Sequence, residues 1–146
     1  MSDRHRMTDD EVQAFLRALP ARTAKLATVR KDGRPHVAPI WVALDDDGCL
    51  WFNTGAGTLK GTAIRRDPRV SLCFDDERPP FSFVVVEGEA LVVEDEELKL
   101  RWATTIGGRY MGEDQAEAYG RRNAVDGELL VKVTPTNVVA MKHIAD

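Results

Sequence analysis

The strongest constraint on the fold is a succession of short segments in which apolar and polar residues alternate, separated by tight turns. Lys-Asp-Gly at 31–33 is one such turn, and residues 45–48 form a second. Alternation with a period of two is typical of strands with one buried face, and turns of this kind join antiparallel neighbours. Strand and helix patterns do not alternate regularly along the chain. A small antiparallel β-barrel is therefore predicted rather than a doubly wound α/β sheet.

The predicted elements fill one mainly β domain over residues 1–146, built as a six-stranded antiparallel split β-barrel with helical additions. The second strand is predicted to run without interruption through residues 36–44. Gly88, in the middle of a long strand, predicts a bulge or bend of the kind that closure into a barrel requires. The predicted segments are an N-terminal helix (1–20), barrel strands (21–93) with an inserted helix (58–66), helices (94–122) and a final strand (129–141).

The N-terminal helix carries its own start and stop signals. Thr8 and Glu11 have the spacing of a capping box, in which each side chain satisfies the other residue's backbone amide. Pro20 ends the helical pattern because proline cannot continue it. The apolar residues that recur at helical spacing in between are Val12, Phe15, Leu16 and Leu19. We therefore expect an amphipathic helix that forms a lid on the barrel.

Composition bounds where the protein acts and what it binds. The net charge is −4 and no basic stripe is visible, so we expect no nucleic-acid partner. The sequence has neither a signal peptide nor an apolar run of about 18 residues, so a cytoplasmic protein without a membrane partner is expected. Cys49 and Cys73 are predicted to be reduced core thiols. His5, His36 and His143 are expected at the surface or an interface, and no metal site is predicted.

The segment with the most chemical content is the loop and helix start around Lys60. A strand delivers the chain to Gly-Ala-Gly at 55–57, where small residues permit close backbone approach. The free amides at the start of the following helix favour an anion. Thr54 or Thr58 can donate a hydroxyl, and Lys60 adds a full positive charge. The pattern is typical of a phosphate site, but also of an ordinary capped surface helix, since both use glycine, threonine and lysine.

Familiar catalytic and nucleotide-binding motifs are absent from the sequence. The segment lacks the Gly-Lys pair of a Walker loop, and Lys60 occupies the place of the third glycine of the dinucleotide fingerprint. No serine lies in a nucleophile elbow, and neither cysteine has a base nearby in sequence. This absence fits a redox protein whose cofactor carries the chemistry, and it leaves the catalytic residues unknown. Candidate proton donors are solvent, Tyr110 and Tyr119.

A series of short motifs follows in a fixed order along the chain. The motifs are Lys-Asp-Gly-Arg-Pro at 31–35, Trp-Phe-Asn-Thr at 51–54, Lys60, Ile-Arg-Arg-Asp-Pro-Arg-Val at 64–70 and Val-Glu-Gly-Glu-Ala at 86–90. In this order they resemble the pyridoxamine 5′-phosphate oxidase-like, FMN-binding split-barrel superfamily. The similarity covers about residues 21–93 and the final strand. Within the superfamily the chain is most similar to short oxidoreductases that use the deazaflavin coenzyme F420.

The resemblance implies a homodimer with two cofactors in grooves between the subunits. Coenzyme F420 is the implied cofactor and FMN the alternative, and Gly57 and Thr58 belong to the phosphate loop. The implied positions are Lys60 on the phosphate, Pro39, Ile40 and Trp41 near the ring, Phe52, Asn53 and Thr54 along the same groove, and Phe81 and Phe83 supplied by the partner subunit. The cofactor-binding residues are thus spread over several strands.

The implied activity is hydride transfer between coenzyme F420 and a small organic acceptor, such as an activated double bond or a quinone. Two alternatives stay open. One is an FMN-dependent oxidoreductase of the same fold, and the other is a non-catalytic module that binds a flavin, deazaflavin or tetrapyrrole. Residues 141–146 lack the arginine and histidine pattern of true pyridoxamine 5′-phosphate oxidases, so vitamin B6 oxidation is not expected. The identity of the ligand separates the three hypotheses.

Overall fold

One antiparallel sheet and four α-helices make up the part of the chain that the computed structural model describes, residues 3–146. The strands are β1 (Ala24–Val29), β2 (Pro35–Ile40), β3 (Ala43–Leu44), β4 (Leu50–Gly55), β5 (Arg69–Asp76), β6 (Ser82–Val93) and β7 (Glu128–Met141). The helices are α1 (Asp9–Arg17), α2 (Leu59–Arg66), α3 (Glu96–Met111) and α4 (Ala116–Asn123). The strand order across the sheet is β2-β1-β5-β6-β7-β4-β3. The fold class is mainly β, as the sequence predicts.

The sheet has seven strands, and the prediction of six was wrong because the predicted strand 36–44 is two strands. The chain leaves β2 at Ile40 and enters β3 at Ala43, so Trp41 and Val42 belong to neither strand. β2 pairs with β1 and β3 pairs with β4, at opposite edges of the sheet. Three peptide steps reach at most about 11 Å, so the two edges lie near each other. The sheet therefore curls into a half-barrel, and we call the two-residue gap the split.

A tyrosine from α3 serves the backbone groups at the split. The hydroxyl of Tyr110 accepts a hydrogen bond from the amide of Val42 at 3.2 Å and donates one to the carbonyl oxygen of Arg22 at 2.7 Å. Val42 is fully buried, and buried backbone groups that leave a ladder need other partners. The hydroxyl therefore replaces ladder hydrogen bonds where β2 ends.

The core lies on the inner face of the curled sheet. Alternate residues of β5 and β6 are buried, Leu72 and Phe74 among them, which is the period of two that the sequence shows. The register between β6 and β7 shifts after Glu87, so the predicted irregularity at Gly88 is confirmed. A Cβ at Gly88 would lie 2.6 Å from the carbonyl oxygen of Thr134, so only glycine allows this approach.

The lid helix α1 begins with the capping box that the sequence predicts. The Thr8 amide donates to the Glu11 carboxylate at 3.0 Å, and the Glu11 amide donates to the Thr8 hydroxyl at 3.2 Å, which confirms the motif. Two buried residues of α1 join the core. The helix ends at Arg17, so Leu19 lies outside it and is 70% exposed. The first two residues of the predicted N-terminal helix lie outside the described residues.

The histidine and cysteine expectations are met unevenly. His5 is buried within the chain, where a surface or interface position was expected, because its ring lies between the Arg4 guanidinium and the backbone carbonyl of Lys142. Both cysteines are free thiols; Cys49 is buried and Cys73 is half-buried. Among residues 3–146, every helix is too short or too polar to span a bilayer.

Candidate functional site

The loop that precedes α2 fixes the start of this helix tightly. The Thr58 hydroxyl accepts a hydrogen bond from the Gly61 amide at 3.1 Å and donates one to the carbonyl oxygen of Gly55 at 2.8 Å. Thr58 is therefore the N-cap that the sequence predicts. A Cβ at Gly61 would collide with the carbonyl oxygen of Gly55, so glycine lets the helix begin this close to the loop. Lys60 is consequently held on a well-anchored first turn.

Lys60 borders a cavity of about 220 Å³ beside the split, which we call the Lys60 cavity. Five of the eleven predicted cofactor-binding residues line it, namely Pro39, Ile40, Trp41, Asn53 and Lys60. The remaining lining residues are Ile106, Asn123 and Glu128. The fold thus brings the end of β2, the middle of β4 and the first turn of α2 to one place, although they are distant in sequence.

One wall of the Lys60 cavity is aromatic. The ring of Trp41 stacks on Tyr110 with a centroid distance of 5.2 Å and an interplanar angle of 2°, and it lies 5.8 Å from the ring of Tyr119. A Cβ at Gly107 would lie 2.5 Å from the Cβ of Tyr119, so this glycine lets α4 approach α3. The two tyrosines therefore hold Trp41 in place. A fixed aromatic wall of this kind suits a flat ligand ring.

The side of the cavity formed by β4 carries an unpartnered amide. Asn53 Nδ2 is buried, and no hydrogen-bond partner for it is found among residues 3–146. Leaving a buried donor unsatisfied costs about 1–3 kcal/mol, which a ligand acceptor in the cavity would offset. Residues alternate across a strand, so Asn53 lines the cavity while its neighbours Phe52 and Thr54 are buried on the other face.

The remaining wall carries opposite charges. Glu128, the first residue of β7, pairs with Gly55 at the end of β4 and lines the cavity together with Lys60. Burial raises the pKa of the Glu128 carboxyl above its usual range, against the opposing positive charges of Lys60 and Lys99. The ammonium group of Lys99 donates to the backbone carbonyls of Val125 and Glu128 at 3.2 and 3.3 Å. The positive charge of Lys60 thus faces a carboxyl group inside the same cavity.

Six predicted residues do not line the Lys60 cavity. Phe52 belongs to the hydrophobic core and Thr54 is buried with its hydroxyl 3.3 Å from that of Thr58. The other four lie away from the cavity: Gly57 and Thr58 in the exposed turn before α2, Phe81 just before β6, and Phe83 at the second position of β6. The supply of Phe81 and Phe83 by a partner subunit stays a prediction.

Sequence reasoning missed Ile106, Asn123 and Glu128. Glu128 follows Asp126 and Gly127, which is typical of a solvated turn, and its position depends on the pairing of β7 with β4. Ile106 shows only the helical spacing of a core residue. No local sequence pattern indicates that Ile106 or Glu128 contacts the cavity. The hydroxyl of Tyr110, a candidate proton donor, is occupied by backbone hydrogen bonds at the split.

The fold is a split barrel: a curled half-barrel that has a cavity at its split, with Trp41 and Lys60 among the lining residues. The sequence profile of the family described as pyridoxamine 5′-phosphate oxidase matches residues 8–142. The chain belongs to this family, and its predicted resemblance to the split-barrel superfamily is confirmed.

Solved structures with the same fold extend this result. A conserved hypothetical protein from Mycobacterium tuberculosis is 28% identical with a TM-score of 0.84, covering 98% of this chain and 89% of that one. An F420 reductase is 25% identical with a TM-score of 0.66, and the match covers 86% of this chain and 94% of that one. The heme storage protein HutZ from Vibrio cholerae is 19% identical with a TM-score of 0.71, covering 91% and 94%, and shows the fold alone. A comparison with curated proteins gave no match.

Proposed function

We propose that the protein is an oxidoreductase that binds coenzyme F420 in the Lys60 cavity and transfers hydride between the cofactor and a small organic acceptor. The observation that carries the proposal is a single cavity lined by Lys60, Asn53 and Trp41. Membership of the family and the similarity to an F420 reductase support it. The bound cofactor supplies the hydride chemistry, and the protein supplies binding, orientation and electrostatics.

The cofactor phosphate is proposed to bind Lys60. Among residues 3–146, Lys60 takes part in no ion pair within 4 Å, so its charge is available to a ligand. A charge-assisted hydrogen bond of this kind contributes about 1.5–3 kcal/mol. The buried Asn53 amide supports the same proposal, because a polar ligand atom would satisfy it. The phosphate and the polar chain of the ligand thus have matching groups, Lys60 and Asn53, among the residues that line the cavity.

The deazaflavin ring is proposed to lie against Pro39, Ile40 and Trp41. These residues give the cavity an apolar wall beside the split, and Trp41 is braced by Tyr110 and Tyr119. A flat ring packed on a braced indole loses water from that face and keeps a fixed orientation. Apolar packing at one end and polar contacts at the other are typical of a cofactor site.

A second copy of the chain is proposed to complete the site in a homodimer. Cofactor pockets measure about 300–1,000 Å³, whereas the Lys60 cavity measures about 220 Å³. The outer face of the sheet carries Val37 and Val139, which are 65% and 46% exposed. Strand register puts Phe83 on this same face. Sedimentation velocity is expected to show a dimer for the wild type and a monomer for Val139→Lys; a wild-type monomer that binds the cofactor contradicts the proposal.

The heme-binding alternative has less support from the cavity. Haem iron is held by histidine, cysteine, methionine or tyrosine side chains. Within the part of the chain that the structure describes, none of these residue types lines the Lys60 cavity. A flavin or deazaflavin needs no such ligand, so the cavity chemistry favours the ring-and-phosphate class of cofactor.

The proposal is tested by titrating the protein with coenzyme F420, FMN and heme. Lys60→Ala is compared with Lys31→Ala, a control at an exposed lysine of the β1–β2 turn. We expect wild type and Lys31→Ala to bind coenzyme F420 equally, and Lys60→Ala to bind it about 10- to 100-fold more weakly. The wild type is also expected to oxidise reduced coenzyme F420 when a quinone is added.

Each other outcome points to a different function. A protein that purifies loaded with FMN and does not bind coenzyme F420 is an FMN-dependent member of the family. Tight binding of coenzyme F420 without hydride transfer to any acceptor favours a binding module. Equal affinity of Lys60→Ala and the wild type for every cofactor contradicts the phosphate assignment.

A further inference from the structure

We propose that Glu128 determines which phosphate the Lys60 cavity accepts, favouring a singly charged phosphodiester over a doubly charged phosphate monoester. This inference rests on the proposed function, because it takes Lys60 as the phosphate ligand. Coenzyme F420 contains a phosphodiester and FMN a phosphate monoester. Glu128 is therefore the residue in this chain that discriminates between the two cofactors by charge.

The geometry places the Glu128 carboxyl beside the phosphate loop. Glu128 pairs with Gly55, and its Oε1 lies 3.6 Å from the position that a Cβ on Gly55 would occupy. Gly55 is also the residue whose carbonyl oxygen accepts the Thr58 hydroxyl at the start of α2. Lys60 follows Thr58 by two residues along the chain and lines the same cavity as Glu128. A ligand anion on Lys60 therefore has a carboxyl group as its neighbour.

The cations near Glu128 are not equivalent. Lys99 forms an ion pair with Glu96 at 3.2 Å and donates to the backbone carbonyl of Glu128, so its charge is already shared. Lys60 takes part in no such pair among residues 3–146 and is the cation that lines the Lys60 cavity. Two more acidic residues border the neighbouring cavity that Glu128 and Lys99 also line, Glu94 and Asp126. Lys60 is thus the cation that Glu128 and a ligand share.

The charges decide which phosphate is preferred. With Glu128 ionised, the charges of Lys60 and Glu128 sum to zero, so the cavity has no net positive charge although Lys60 is free to contact an anion. A phosphate monoester carries a charge of about −1.5 to −2 at pH 7, whereas a phosphodiester carries one negative charge. The extra charge of the monoester is repelled by the half-buried carboxylate, where water screens it less than at the surface. We expect this repulsion to weaken binding on the order of tenfold.

The test uses two flavins that differ in one charge, FMN and its 5′-methyl phosphodiester. Their Kd values are measured for the wild type, for Glu128→Gln and for Glu117→Gln, a control at an exposed glutamate of α4. The wild type and Glu117→Gln are expected to bind the diester about tenfold more tightly than FMN. Glu128→Gln is expected to reduce this preference to less than about threefold, mainly by binding FMN more tightly. An equal preference in all three proteins overturns the inference.

Two further measurements separate this inference from the proposed function. Glu128→Ala removes the same charge with a smaller side chain and is used if Glu128→Gln fails to fold. It must then show the same loss of preference for the diester. If the wild type binds coenzyme F420 but neither flavin, Glu128→Gln must gain FMN binding, and its failure to do so overturns the inference alone. If no protein binds coenzyme F420 or either flavin, the proposed function fails and the inference fails with it.

Discussion

The closed side of the barrel, β5 to β7, and the split side, between β2 and β3, are held together in different ways. On the closed side, long strands pair along nearly their whole length over a largely buried apolar face. At the split, two strands end, and the Tyr110 hydroxyl replaces the missing ladder hydrogen bonds. The closed side therefore has the longer continuous strand pairing, while the split side borders the Lys60 cavity.

The largest effect is expected on the closed side. Phe74 on β5 is 1% exposed, so Phe74→Ala removes a large apolar side chain and leaves a cavity. We expect the free energy of unfolding to fall by about 3–5 kcal/mol. Leu91→Ala, at a 64% exposed position of β6, is the control and should change it by less than about 0.5 kcal/mol. Urea unfolding measures both, and similar losses would contradict the assignment of the core to the inner face.

Gly61→Ala tests the loop that anchors Lys60. Replacement of glycine by alanine inside a helix normally stabilises it by about 1 kcal/mol. Here the new Cβ collides with the carbonyl oxygen of Gly55, so we expect a loss of about 2–3 kcal/mol instead. Gly57→Ala meets no atom within 4 Å and serves as the matched control, with little expected change. A stabilising Gly61→Ala in thermal unfolding would show that α2 starts further from the loop.

Tyr110→Phe tests the hydrogen bonds that the Tyr110 hydroxyl makes at the split. Loss of the hydroxyl leaves the buried Val42 amide and the Arg22 carbonyl without this partner, so we expect unfolding to require about 1–2 kcal/mol less. Tyr119→Phe keeps the aromatic contact with Trp41 and is expected to change stability by less than about 0.5 kcal/mol. Chemical denaturation of the two variants provides the measurement. Equal stability of both would mean that the split needs no hydroxyl.

The smallest effect is expected where the lid helix meets the C-terminal tail. Glu11 forms an ion pair with Lys142 at 2.6 Å, and mainly this hydrogen bond lowers the pKa of Glu11 from 4.5 to about 2. Because the pKa is depressed in the folded protein, the stabilisation is fully present above pH 4.5 and is lost as the pH falls towards 2.

Glu11→Gln keeps a capping-box side chain and removes the charge. It should lower the thermal midpoint slightly at neutral pH and flatten its decline below pH 4.5. Glu97→Gln, at an exposed position of α3, is expected to leave that decline unchanged. Circular dichroism melts over this range measure all three proteins. An unchanged pH profile in Glu11→Gln would mean that the pair with Lys142 contributes nothing in solution.

The sequence correctly predicted the features that depend on residues close together in the chain. The capping box of α1, the Thr58 cap of α2 and the irregularity at Gly88 all follow from short-range signals, and the structure confirms each. The break at Trp41 was not predicted, because the tyrosine that makes it tolerable comes from α3, far along the chain. A sheet edge that depends on residues far apart in the chain leaves no pattern in the sequence around it.

The same division applies to the candidate site. Lys60 was found because it follows a glycine-containing loop at a helix start, which is a short-range pattern. Glu128 was missed because its contact with that loop depends on the pairing of β7 with β4. Phe52 was assigned to the groove through resemblance, although strand alternation puts its side chain in the core. Contacts between neighbouring strands therefore could not be predicted from the local sequence alone.

In the proposed complex the Lys60 cavity holds the phosphate end of coenzyme F420. A crystal structure of the complex tests it most directly. We expect the Lys60 ammonium group to lie about 3 Å from a phosphate oxygen while the ring rests on Trp41. A complex in which the phosphate binds elsewhere and Lys60 points into solvent would contradict it.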